Sequence, residues 1–175
     1  QSARQISIRN VQEGTGYYDF LGLKTRDDFF KLTGVDKKIA ERVFAKWAAV
    51  VGKSGVSQQN RQIIAYGSAS RRVWGTLDTF VQQGKGNAKR NLREGEFAHN
   101  AEEWYGFLPN GLFVTFLSDN KGVAVESAPD KIGPDDTALR KGRDARIHVN
   151  ISCMRCHGVD KDFLKPIDDW ARRTF

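Results

Sequence analysis

The chain has 175 residues, of which 39% are hydrophobic and 28% are charged, the balance of a single ordinary globular domain. This composition excludes a low-complexity chain, and no apolar run reaches the 18 or more residues that indicate a membrane span. The net charge of +7 is uneven, because residues 38–93 carry eleven Lys/Arg against two acids and residues 94–136 carry two against nine. The asymmetry indicates either a solvated helical face or a docking surface for an acidic partner, and no nucleic-acid-binding motif is present.

The first 93 residues are predicted to be mostly helical. Thr25 is a candidate N-cap, with Asp27 and Asp28 in the first turn of a short helix that Gly34 ends. Apolar residues then recur at helical spacing over 39–51, and again over 63–81. We therefore predict a helical region over 17–93.

The pattern changes after residue 87. Turn signals at 109–111 and 120–122 separate segments rich in β-formers, which predicts strands near 103–108, 112–118 and 122–127. A polar loop follows over 128–146, and a last helix is expected after Pro166. The predicted fold class is α+β in a single domain, 1–175, with a helical part (17–93), a small antiparallel β-meander (103–127) and a C-terminal helix or loop (150–175).

Both cysteines of the chain lie in the segment ISCMRCHGVD, residues 151–160. Cys153, Cys156 and His157 have the C-x-x-C-H spacing of covalent c-type haem attachment. On one helical turn, the two thiols could form thioethers with the haem vinyl groups, and His157 would face the iron as its proximal ligand. We therefore predict one haem c, held by Cys153 and Cys156. A zinc site and a redox dithiol are alternatives that lack their usual spacing or context, and a chance match of the short pattern is a third.

The second axial position of the iron has several candidate ligands. Met154 lies between the two cysteines and cannot reach the opposite side of a haem. His99 is the preferred distal iron ligand, because it is far enough away in sequence to approach from the other side. His148, a lysine, a water molecule or an open position remain alternatives.

Three segments of the chain resemble, in order, a group of secreted bacterial monohaem c-type cytochrome domains found in planctomycetes and myxobacteria. They are KSGVSQQNRQIIAYGSA, FAHNAEEWYGFLPNGLFVTFLSDNKGVAVESAP and VNISCMRCHG, and the resemblance spans about residues 17–160. It implies haem binding and electron transfer, and it aligns the histidine of the group's F-x-H motif with His99. The chain departs from the group at 100–102 and at Asn150.

These observations predict a monohaem cytochrome that transfers electrons in the periplasm, with bis-His ligation by His157 and His99. Basic residues near the motif, Arg155, Lys161 and Lys165, would favour an acidic redox partner. The localisation, periplasmic or secreted, follows from haem attachment and assumes that a signal peptide has been removed. No nucleic-acid partner is expected.

Two other functions remain open. The first alternative is a five-coordinate haem protein similar to the β-sheet cytochromes c prime, which would bind NO or CO in an apolar pocket. Its pocket candidates are Phe97, Phe107, Phe113 and Phe116. An enzyme is not expected, although a peroxidase could use His99 with Glu102 or Glu103 as its acid–base group.

Overall fold

The computed structural model describes residues 16–36, 38, 48–51, 61–67, 72–81, 84–87 and 97–156. These residues contain five strands and four short α-helices. The elements are α1 (Tyr17–Leu21), α2 (Arg26–Thr33), β1 (Ala48–Val51), β2 (Arg61–Gly67), β3 (Arg72–Asp78), β4 (Ala101–Phe107), β5 (Phe113–Asp119), α3 (Asp136–Leu139) and α4 (Ile151–Cys156), with a 3-10 turn at Gly84–Gly86.

The strands form one antiparallel sheet in the order β1-β2-β3-β4-β5. Each strand therefore pairs with its neighbour in sequence, as short connections favour. The register places Ile64 opposite Gly75, Gly75 opposite Trp104, and Trp104 opposite Phe116. Because side chains alternate along a strand, these residues share one face of the sheet, which we call the helical face, and their neighbours share the other, the open face.

The prediction of a mostly helical first half is wrong. Strands β1, β2 and β3 lie where helices were predicted over 39–51 and 63–81, and residues 39–47 lie outside the described part. Ile63 and Ile64 point to opposite faces of β2, as do Val73 and Trp74 of β3. Apolar residues therefore follow one another along these strands, and such short runs do not distinguish a strand from a helix by spacing. Their β-branched and aromatic side chains are strand formers.

The predicted start of the short helix α2 is confirmed. The Thr25 side chain accepts a hydrogen bond from the Asp28 backbone, while the Asp28 carboxylate accepts one from the Thr25 backbone, at 2.9 Å. This reciprocal pair is a capping box. Gly34 ends the helix in the left-handed conformation, with φ of 70°.

Most of the core lies on the helical face, where α1 and α2 pack against the sheet. Phe29 and Phe116 are fully buried and stack with ring centroids 5.8 Å apart. Phe30 packs edge-on against Trp104, which is 1% exposed. Gly75 leaves room for this ring, because a Cβ there would lie 2.5 Å from it.

Strand β5 is one of the two edge strands of the sheet, and α1 protects it. The Tyr17 hydroxyl accepts a hydrogen bond from the Thr115 backbone at 3.1 Å, and the Tyr18 hydroxyl accepts one from the Leu117 backbone at 2.8 Å. These bonds satisfy edge groups that would otherwise be open to another strand. A regular third strand over 122–127 does not form, and isolated bridges such as that of Ser118 with Ala124 take its place.

The helix predicted after Pro166 lies outside the described residues. Among the helices that are described, none combines the length and the apolar character needed to cross a membrane.

Candidate functional site

Helix α4 carries the first part of the C-x-x-C-H motif across the open face of the sheet. The Cys153 thiol donates a long hydrogen bond, 3.9 Å, to Glu103 Oε1. Burial and, next, the negative charge of Glu103 raise the pKa of this thiol to about 12. Cys153 therefore stays protonated at neutral pH, whereas reactive thiols have a lowered pKa.

Glu103 belongs to a charged cluster on the open face, formed by Arg61, Thr76, Asp78 and Glu103. Arg61 Nη2 lies 2.7 Å from Thr76 Oγ1, 2.8 Å from Asp78 Oδ2 and 3.0 Å from Glu103 Oε2. Burial acts to lower the pKa of Arg61, but the charges of Asp78 and Glu103 outweigh it and raise that pKa. Within this cluster, one guanidinium therefore faces two carboxylates.

The prediction of a covalently bound haem c is wrong. Within the described residues, no group of three or more His, Cys, Asp or Glu side chains could hold a metal ion. The Cys153 thiol contacts Glu103 instead, and a cavity beside the cluster measures about 20 Å³, enough for a single water molecule. Without a haem c, the assignment as a c-type cytochrome is not supported. The side chain of Cys156 and all of His157, the other two residues of the motif, lie outside the described residues.

His99, the predicted distal ligand, lies in a second hydrogen-bond network, two residues before the start of β4. Its Nε2 is 2.7 Å from Glu102 Oε1, and its Nδ1 is 3.3 Å from the Phe97 carbonyl. Both ring nitrogens therefore have protein partners. Glu102 and Glu103 point to opposite faces of the sheet, so they cannot both serve a single site with His99.

His148, the alternative ligand, braces an exposed loop instead. Its Nε2 is 2.9 Å from Asp144 Oδ2, and Arg146 Nη2 is 2.7 Å from the same oxygen. Hydrogen bonds from the Arg146 side chain and backbone, and then from His148, lower the pKa of Asp144. We call residues 139–146 the basic loop, because Arg140, Lys141, Arg143 and Arg146 are all exposed there.

The four phenylalanines proposed for a gas-binding pocket do not line one site. Phe116 is fully buried in the core on the helical face, and Phe97 stacks on His99. Phe107 and Phe113 lie on the open face, where they pack edge-on with ring centroids 5.7 Å apart.

Two groups of residues were not recognised in the sequence as parts of a site. In the sequence, Arg61 is only one member of a basic stretch, and residues 140–146 are only part of a polar loop. The run LRKGRDAR in this loop has four cations and one acid, a charge signal that was available in the sequence. No such signal joins Arg61 to Asp78 and Glu103, because strand pairing alone brings them together.

The comparisons with known proteins do not identify a family. No family model, curated protein or solved structure matches this chain. The resemblance to monohaem cytochrome domains therefore stays a prediction.

Proposed function

We propose that this protein is a binding module that docks onto an acidic surface of a partner protein through its basic loop. The observation that carries the proposal is the exposure of four cations against one acid within residues 140–146. Clustered charge of one sign steers encounter with a partner of the opposite sign and fixes its orientation.

The basic loop has an ordered backbone. The Gly142 amide donates to the Leu139 carbonyl and the Arg143 amide donates to the Ala138 carbonyl, each at 3.0 Å. Gly142 has φ of 63°, a conformation in which glycine is unstrained. A loop held in this way loses less conformational entropy when a partner binds.

The single acid of the loop is already engaged. Asp144 accepts hydrogen bonds from Arg146 and His148, so its charge is balanced within the loop. Lys141 and Arg143 are exposed beside this pair. The loop therefore presents a net positive charge to solvent.

Leu139 gives the loop an apolar contact as well. Its residue is 56% exposed, although it is a large hydrophobic side chain. Burying such a side chain contributes about 1.5–3 kcal/mol when an interface forms. A protein surface offers both apolar and acidic contacts, which fits this combination better than a uniformly charged polymer does.

The acidic partner is the one that the sequence predicts, but the surface proposed to bind it is the basic loop rather than the residues near the C-x-x-C-H motif. Lys161, Lys165 and the side chain of Arg155 lie outside the described residues, whereas all residues of the basic loop are described. Electron transfer would need a redox centre, and it stays a prediction that no observation tests. The extracytoplasmic location also stays a prediction, since it was inferred from haem attachment.

Poly-L-glutamate is a suitable first probe of an acidic partner. We expect the intact chain to bind it, with an affinity that falls as salt rises. Lys141→Glu/Arg143→Glu should weaken binding about tenfold or more, because two attractive contacts become repulsive. The matched control is Lys24→Glu/Lys121→Glu, which reverses two exposed lysines elsewhere and changes the net charge equally.

The controls decide which part of the proposal holds. Equal loss of binding in both double variants would mean that net charge alone acts, and the loop would have no special role. Binding to single-stranded oligonucleotides or phosphatidylglycerol vesicles, but not to poly-L-glutamate, would contradict a protein partner. Leu139→Ser should weaken binding to an acidic protein more than binding to poly-L-glutamate.

A further inference from the structure

A row of four aromatic rings crosses the open face of the sheet. Trp74, Tyr105, Phe113 and Phe107 belong to β3, β4 and β5, and the strand register places them all on this face. The Trp74 and Tyr105 rings are almost parallel, with an interplanar angle of 11° and centroids 5.9 Å apart. Tyr105 and Phe113 are 6.5 Å apart, so the row is continuous.

The aromatic row is not part of the core cluster. Phe107 is 42% exposed, and Trp74, Tyr105 and Phe113 are each partly exposed. The core on the helical face instead contains Trp104 and Phe116, which alternate with Tyr105 and Phe113 along the strands. Burial in the core therefore does not explain why four aromatic residues are placed here.

Glu103 puts negative charge at one end of the row. It lies two residues before Tyr105 on β4, and its side chain is 23% exposed. Glu103 Oε2 is paired with Arg61. Among the described residues, Oε1 accepts the long hydrogen bond from the Cys153 thiol. Burial and, next, the negative charge of Glu103 raise the pKa of Tyr105 to about 12.

We propose that the aromatic row and Glu103 form a binding site for a small organic cation that carries an aromatic ring. The ring of the ligand would stack on the exposed aromatic faces, and its ammonium group would lie over Trp74 and Tyr105 near Glu103 Oε1. A cation is attracted by the negative face of an aromatic ring and by a carboxylate, and both are present at this end of the row.

Charge orients the ligand along the row. Glu103 places a carboxylate beside the Trp74–Tyr105 end, and a carboxylate favours a cation. Arg72 lies on the same face two residues before Trp74, at the end away from Glu103. The ammonium group is therefore placed at the Trp74–Tyr105 end, and an anionic ligand would meet the carboxylate of Glu103 there.

Calorimetric titration with two probes of similar size tests the site. We expect benzyltrimethylammonium to bind the intact chain about tenfold more tightly than benzyl alcohol, which is neutral. Glu103→Gln should remove most of this preference and leave the binding of benzyl alcohol unchanged. Trp74→Ala should weaken the binding of both probes.

Further variants guard against unfolding and unspecific binding. Phe107→Ala removes an exposed ring and should weaken the binding of both probes without changing the circular dichroism spectrum. Phe20→Ala is the matched control, because Phe20 is 54% exposed and belongs to α1 rather than to the row. Equal affinity for both probes would overturn the cation site. No binding of either probe, or equal losses in Phe107→Ala and Phe20→Ala, would overturn the aromatic site.

Discussion

Glu102 should be the most sensitive carboxylate of the described fold. Its side chain is fully buried and accepts hydrogen bonds from four donors in three parts of the chain. The donors are Arg26 Nη1, His99 Nε2 at 2.7 Å, Trp104 Nε1 at 2.8 Å and Ser118 Oγ at 3.0 Å. The network joins α2 to β4 and β5, which are far apart in sequence.

Glu102→Gln keeps the shape of this side chain and removes its charge. The amide has a single acceptor oxygen, so two of the four donors lose their acceptor, and Arg26 loses its counter-charge. Unpaired buried donors cost about 1–3 kcal/mol each, and a broken buried ion pair costs about 3–5 kcal/mol. We expect the free energy of unfolding to fall by about 4 kcal/mol, and the melting temperature by about 10 °C.

Urea denaturation followed by tryptophan fluorescence measures this change. Asp19→Asn is the control, because Asp19 is exposed and such substitutions change stability by about 0.5 kcal/mol or less. A loss below about 1 kcal/mol for Glu102→Gln would refute the reasoning, since the four donors would then have found other partners. The double variant with His99→Ala should lose less than the sum of the single losses, because the two residues are in contact.

The pH dependence gives an independent check on the same residue. Burial acts to raise the pKa of Glu102, but hydrogen bonds from His99 and Trp104 and the charge of Arg26 outweigh it and hold that pKa below the ordinary value of 4.5. A carboxyl group with a lowered pKa stabilises the fold above its unfolded pKa and loses that contribution as pH falls through its folded pKa. The stability difference between the intact chain and Glu102→Gln should therefore be largest at neutral pH and shrink below about pH 4.5.

Three further predictions test the packing, the sheet edge and the buried thiol. Gly75→Ala should lower the free energy of unfolding in urea by about 1–3 kcal/mol, because the new methyl group meets the Trp104 ring; an unchanged stability would mean that the ring moves freely. Tyr18→Phe should lower it by about 1–3 kcal/mol, because an edge amide of β5 loses its acceptor, and a loss below 0.5 kcal/mol would show that water replaces the hydroxyl. In a Cys156→Ser background, Cys153 should react with iodoacetamide about a thousandfold more slowly in the folded chain than in urea, because its pKa is raised from 9.0 to about 12; equal rates would contradict its burial.

Local chemistry was enough to predict some elements from the sequence. The capping box at Thr25 and the turn signals after Phe107 and Asp119 act within a few residues, and α2, β4 and β5 lie where these signals place them. The excess of positive charge, and with it the expectation of an acidic partner, also follows from the sequence alone.

Only the tertiary structure decided the rest. β2 and β3 become strands because β4 and the core accept their apolar side chains, and spacing along the chain does not show this. The C-x-x-C-H spacing predicted a haem, yet the sheet brings Glu103 to Cys153 from 50 residues away. Arg26 and Glu102 are separated by 76 residues, and the aromatic row combines three strands. Such sites depend on strand register, which a sequence specifies through the burial of whole faces rather than through any local motif.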